Sequence, residues 1–213
     1  MFQEYLQRII LIAPPVLLAL TIHECAHAWV ALRFGDPTAK MLGRVTLNPL
    51  KHLDPVGTLA LFVSGMFGWA RPVPINPRNF TNVSKGILWV SLAGPLSNMI
   101  LAGFFALVLR VFSTVGARYL SGMPGLFEPL FIMIRLSVVI NVSLAVFNMI
   151  PIPPLDGSKV LGNILPPEKA LSFSRIEPYG FLILILLIMT GVVNKVISPI
   201  VFLTVGLLTG GGF

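Results

Sequence analysis

The stretch that decides the fold is Ile9–Phe34, IILIAPPVLLALTIHECAHAWVALRF. A helix needs about 20 mostly apolar residues to cross a bilayer, and this run is long enough. It is too long, and too interrupted by His23, Glu24 and His27, for the apolar part of a cleaved signal peptide, and no small-residue cleavage site stands out. Pro14 and Pro15 are predicted to kink its first half, which membrane spans tolerate when neighbours satisfy the freed backbone groups.

The rest of the chain agrees. Hydrophobic residues make up 55% of it and charged residues 11%, against about 25% charged in an ordinary soluble domain. One water-soluble core cannot hide that excess, so the bilayer is the natural solvent for it. The net charge of +7 does not mark a nucleic-acid binder. The basic residues are scattered between apolar runs and form no block or stripe, so they read as loop charges at a membrane surface. A single cysteine excludes an internal disulfide framework and leaves the redox compartment open.

Beyond the first span, Val56–Ala70 is short and glycine-containing, which suits a re-entrant or interfacial segment. Arg71–Pro77 follows, kept extended by Pro72, Pro74 and Pro77. Together they predict a membrane-dipping hairpin near 56–76. Ile87–Phe112 and Leu130–Ile150 are further spans. Pro151–Pro178 reads as a loop rich in proline and charge. Tyr179–Leu208, with a break at Gly191–Lys195, reads as two short spans or one long tilted one. The expected fold is α-helical and multi-pass, with about five or six spans. Residues 1–213 form one membrane-embedded domain, with a core over about 9–160 and further spans over about 179–208. No repeat, low-complexity tract, soluble domain or attached sensor module is read. Ten of the fifteen Lys and Arg residues fall in 33–86 and 153–177. The positive-inside rule makes that side cytoplasmic and puts His23 and His27 nearer it, in what is expected to be a cell membrane.

His23-Glu24-Cys25-Ala26-His27 is an H-E-x-x-H motif. Positions i and i+4 share a helix face, so the two imidazoles can grip one zinc ion, with Glu24 beside the site as general base. Ionisable groups inside an apolar span are costly and mark function. A catalytic zinc needs a third protein ligand. Apart from His52 no histidine remains, so a carboxylate is expected. The candidates are Glu4, Asp36, Asp54, Glu128, Asp156, Glu168 and Glu177. Asp156 is favoured by its setting, Phe147-Asn-Met-Ile-Pro-Ile-Pro-Pro-Leu-Asp-Gly157. There prolines end an apolar span and Gly157 permits a turn that swings the carboxylate back. A loop residue or helix cap is the alternative on spacing alone.

The pairing of His23-Glu24-x-x-His27 with Asn148-x-x-Pro-x-Pro-x-x-Asp156-Gly157 resembles the site-2 protease family of intramembrane zinc metalloproteases (peptidase family M50). Asn48–Gly57, Gly68–Pro77 and Ala93–Asn98 resemble its compact branch, which lacks PDZ and CBS domains. The likeness covers about residues 10–160. It implies one zinc per chain on His23, His27 and Asp156, Glu24 as catalytic base, and a three-span core. It also implies membrane-spanning protein substrates cut within the bilayer in regulated intramembrane proteolysis. Asn148 is then a candidate for holding substrate or steadying the tetrahedral intermediate, or else a helix–helix hydrogen bond. Asn98 either lines the same cavity or packs. His52 is either a second transition-state donor or gate, or an interfacial residue capping a turn with Asp54. Cys25 reads as a small packed residue. The rival reading is a divalent-metal transporter, which would need polar ligands at several depths and Glu24 among them. Oligomeric state and nucleic-acid partners draw no positive signal.

Overall fold

The computed structural model describes residues 2–64, 69–116, 119 and 123–211. The chain is α-helical: α1 Phe2–Arg33, α2 Pro55–Ser64, α3 Val83–Val111, α4 Pro124–Asn148, α5 Asp156–Ile164, α6 Pro167–Ser174, α7 Glu177–Met189 and α8 Val192–Thr209. Helix α3 continues through a wider turn, Phe112–Gly116. Four helices (α1, α3 with that turn, α4 and α8) are long and apolar enough to cross a membrane. The pair α6–α7, bent by 65°, brings the number to five if it acts as one broken span.

Helices α1, α3 and α4 pack on one another, with α8 against α3 and α4. The contacts between them are made by small side chains. Ala19, Ala28 and Ala31 of α1 and Ala102 and Ala106 of α3 are buried, and the latter two meet Val138 and Val142 of α4 and Val205 of α8. Small residues let helix backbones approach where lipid removes any hydrophobic drive to associate. The large apolar side chains point outward: Ile100 is 75% exposed, Phe202 78% and Leu207 77%. That distribution is unfavourable in water and suits a hydrocarbon solvent. The chain is a multi-pass α-helical membrane protein.

The tail is two helices. Gly191, in the left-handed region (φ 74°), ends α7 and caps the start of α8, a conformation glycine adopts without steric cost. The proline- and charge-rich stretch after α4 is not a plain loop, because α5 and α6 form within it. Helix α5 lies on α3, where Asn163 Nδ2 donates to the Ser84 carbonyl (3.1 Å).

Of the predicted hairpin, residues 55–64 are helical and the turn lies outside the described residues. The returning segment is extended, joined to the chain before α2 by a single antiparallel bridge between Leu53 and Ala70. The Arg71 N–H donates to the His52 carbonyl (2.8 Å), and the Arg44 guanidinium donates to the Arg71 carbonyl. Asp36, fully buried just past α1, ties this region down. It accepts from the Thr38 N–H (3.1 Å), the Thr38 hydroxyl (2.5 Å), the Asn76 N–H (2.7 Å) and Asn79 Nδ2 (2.8 Å). Burial alone would raise the Asp36 pKa, but these donors outweigh it and hold the carboxyl below its ordinary value.

Candidate metal centre

Two antiparallel stripes build the site. Ala19, His23 and His27 recur every four residues along one face of α1, and Val90, Gly94 and Asn98 do so along α3. The stripes run in opposite directions against each other. Asn98 meets Ala19 and His23, Gly94 lies under both imidazoles, and Val90 meets His27. His23 Nδ1 donates to Asn98 Oδ1 (2.6 Å) and His27 Nδ1 donates to the Val90 carbonyl (2.6 Å). Each imidazole is thereby turned so that its Nε2 faces the other, 3.0 Å away, with the rings at 81°.

The third group arrives from the far end of α4. The prolines after Asn148 stop that helix, and Asp156 opens α5 in a buried position. Gly157 does not serve as a left-handed turn. It is helical, and a Cβ there would collide with the Met149 carbonyl, so glycine is required for close backbone approach. Asp156 Oδ2 lies 3.2 Å from His23 Nε2 and 3.2 Å from His27 Nε2. Its second oxygen faces Lys159 Nζ at 3.8 Å.

Both Nδ1 atoms already donate, so a neutral imidazole at either position presents a lone pair on Nε2. Asp156 Oδ2 is buried with no hydrogen-bond partner. Three lone pairs therefore converge on one point, a repulsive arrangement unless a cation lies among them. Tetrahedral zinc with metal–ligand distances of about 2.0–2.1 Å separates its ligands by about 3.3 Å, close to the spacing here. These three residues are the one such group of metal-ligating side chains among the described residues.

Glu24 is half-buried next to His23, and its carboxylate makes no hydrogen bond among the described residues. Arg44, 5% exposed, interacts with it electrostatically from the loop after α1. The other predicted groups take different places. Asn98 holds His23 rather than lining a cavity. Asn148 is half-buried and turns back to donate to the Leu144 carbonyl on its own helix (2.9 Å). His52 is 1% exposed and is not drawn into the metal cluster. Its Nε2 pairs with the Thr46 carbonyl (2.9 Å), and its Nδ1 is unpartnered. Of the remaining candidate carboxylates, Asp36 bonds to loop groups and Asp54 accepts from the Gly57 N–H in the first turn of α2, while Glu4, Glu128, Glu168 and Glu177 are exposed.

Comparison with known proteins identifies the family. The sequence model of peptidase family M50 matches residues 124–191. The chain is 43% identical over 186 residues to a Bacillus subtilis (strain 168) protein named "Putative zinc metalloprotease YwhC", covering 86% of this chain and 82% of that one. The chain belongs to peptidase family M50, the site-2 protease family. It is 32% identical over 205 residues to "Putative zinc metalloprotease Rip2" of Mycolicibacterium smegmatis (strain ATCC 700084 / mc(2)155), covering 93% and 74% of the two chains. A shorter match, 40% identical over 72 residues, covers 34% of this chain and 31% of "Putative zinc metalloprotease MJ0611" of Methanocaldococcus jannaschii. No solved structure matches. The M50 chain is a metalloprotease, and its relatives' names imply zinc. Membership of a peptidase family stands against the transporter reading.

Proposed function

We propose that this M50 protease hydrolyses peptide bonds of membrane-spanning proteins within the bilayer of the cell membrane, with one zinc ion per chain held by His23, His27 and Asp156. The observation that carries this reading is the convergence of three buried lone pairs on one point inside a helix bundle whose outer surface suits lipid.

A zinc ion held there supplies Lewis-acid chemistry, acidifying water and polarising the scissile carbonyl. Glu24, one residue from a proposed ligand and free of competing hydrogen bonds among the described residues, takes the proton of the attacking water and passes it to the leaving amine nitrogen. Asn148 uses one N–H on Leu144 and keeps a second for a carbonyl of the substrate or of the tetrahedral intermediate. A substrate helix must unwind before water can attack it. The extended backbone at 72–75 offers replacement hydrogen bonds by strand addition, since Pro72 to Ile75 lie beyond the groups already bonded at Arg71 and Asn76. The segments that join α1 to α3 and follow α4 share one end of the bundle, and residues 33–86 and 153–177, which carry ten of the fifteen Lys and Arg residues, make it the cytoplasmic end, from which water enters. Regulated intramembrane proteolysis is the process this activity serves.

The test uses purified chain reconstituted in bilayers with a labelled transmembrane peptide, the cut mapped by mass spectrometry. Wild type is expected to cut within the apolar segment and Glu24→Gln to bind zinc without cutting. Cleavage confined to the peptide's water-exposed flanks would overturn the intramembrane assignment.

A further inference from the structure

Asn141 is fully buried on α4, a helix with no metal ligand of its own. The hydrogen bonds around it allow one arrangement only. The Ser137 carbonyl can only accept, so the Asn141 atom 2.8 Å from it is the amide nitrogen. Asn141 Oδ1 is then an acceptor, and it faces Asn98 at 2.8 Å. The Asn98 atom opposite it must be the amide nitrogen, which also reaches the Ala19 carbonyl at 3.2 Å. Both Asn98 N–H groups are thereby used, and its Oδ1 is left as a pure acceptor toward His23 Nδ1 at 2.6 Å. The imidazole must donate from Nδ1, which leaves the lone pair on Nε2, the atom that faces His27 and Asp156.

We propose that Asn141 is a positioning residue: acting through Asn98, it fixes the tautomer and ring orientation of His23 and so raises the affinity of the site for zinc. This role presupposes the metal centre proposed above. Its physical basis is the chain of forced donors from α4 through α3 to α1, ending in backbone carbonyls that cannot reverse. Without Asn141, only the longer bond to the Ala19 carbonyl (3.2 Å) opposes turning the Asn98 amide over to present N–H to His23. That turn would shift the proton to Nε2 and block the ligand position. His27 needs no such relay, because the Val90 carbonyl orients it directly. It serves as the internal control.

The chain has three histidines, so 15N spectra of the histidine-labelled, zinc-free protein resolve each tautomer, and chelator competition gives the zinc dissociation constant. Asn141→Leu removes the relay. His23 is expected to lose its single Nδ1–H tautomer while His27 keeps its own, and zinc affinity is expected to fall by about tenfold, as for loss of outer partners of a metal ligand. Asn141→Asp, neutral when buried, offers O–H to Ser137 and C=O to Asn98, so it should restore both readouts. Should the leucine variant fail to fold, Asn141→Ser, too short to reach Asn98, carries the same expectation. An Asn141→Leu or Asn141→Ser protein with wild-type tautomers and affinity would overturn the relay. So would an Asn141→Asp protein as impaired as the leucine variant. A wild-type protein that binds no zinc would overturn the metal centre itself, while the tautomer comparison still decides whether Asn141 orients His23.

Discussion

Gly94 on α3 faces His23 on α1 so closely that a Cβ at Gly94 would lie 2.5 Å from both Cε1 and Nε2 of the imidazole, and it would press equally on His27. The two proposed ligands rest on a bare patch of backbone. Gly94→Ala is therefore expected to push both rings off the metal position, lowering zinc affinity by at least about tenfold and stability by about 1–3 kcal/mol through overpacking. Metal content after dialysis against a weak chelator and a thermal melt check both halves. Full zinc occupancy with an unchanged melt would show that α1 and α3 can separate at no cost.

Asp156→Ala and Glu24→Gln divide ligand from base. Removing Asp156 takes away one of the three proposed ligands, and the zinc content of the purified protein is expected to drop below half of wild type. Glu24→Gln keeps the metal and lowers kcat by about 10²–10⁴-fold, the range for loss of general acid–base assistance. Zinc analysis beside a cleavage assay decides it. Zinc lost with Glu24→Gln and kept with Asp156→Ala would exchange their roles.

Much of this site is legible in the sequence, and the reasons are physical. His23 and His27 declare themselves because four-residue spacing puts them on one face and an apolar span makes them costly. Asp156 is marked by the prolines that stop α4 before it. Val90 and Gly94 leave no such trace, since one contributes a backbone carbonyl and the other the absence of a side chain. Their shared four-residue spacing with Asn98 was the signal available. Asn141 reads as one more polar residue in a span until its partners are known. Helices α5 and α6 look like loop because proline and charge dominate their surroundings, yet short helices gain most of their stability from packing, and α5 has α3 to lie on. His52 shows the reverse. The third histidine is buried at a loop corner, where it pairs with the Thr46 carbonyl and stays outside the His23, His27 and Asp156 group.

The Asp36 node gives the loops a pH dependence. Its carboxyl is held below the ordinary value of about 3.9, so it contributes stability above that pH, and the contribution is lost as pH falls through the lowered folded value. The loop joining α1 to α3 should therefore loosen only below about pH 4, seen as faster amide exchange at Asn76 and Thr38. Asp36→Asn puts an N–H among four donors and is expected to cost about 2 kcal/mol at neutral pH, with the acid-dependent step removed. A variant that retains the same acid step would assign it to another carboxylate.

Arg44 offers the sharpest separation of metal from substrate. Its buried guanidinium donates to the Arg71 carbonyl and is one tether, beside Asp36–Asn76 and Arg71–His52, between the loop after α1 and the extended 71–76 segment. If that segment receives the unwound substrate, loosening it should weaken substrate engagement and leave the metal untouched. Arg44→Gln is therefore expected to retain full zinc content and the wild-type cleavage site, while kcat/KM falls about tenfold, the value of one charge-assisted hydrogen bond of about 1.5 kcal/mol. Arg44→Lys keeps the charge near Glu24 but lacks the planar fork. It should recover little if the tether matters and most of the activity if only the charge near Glu24 does. Zinc loss in either variant would instead place Arg44 in support of the metal centre, and the extended segment would lose its proposed part in binding.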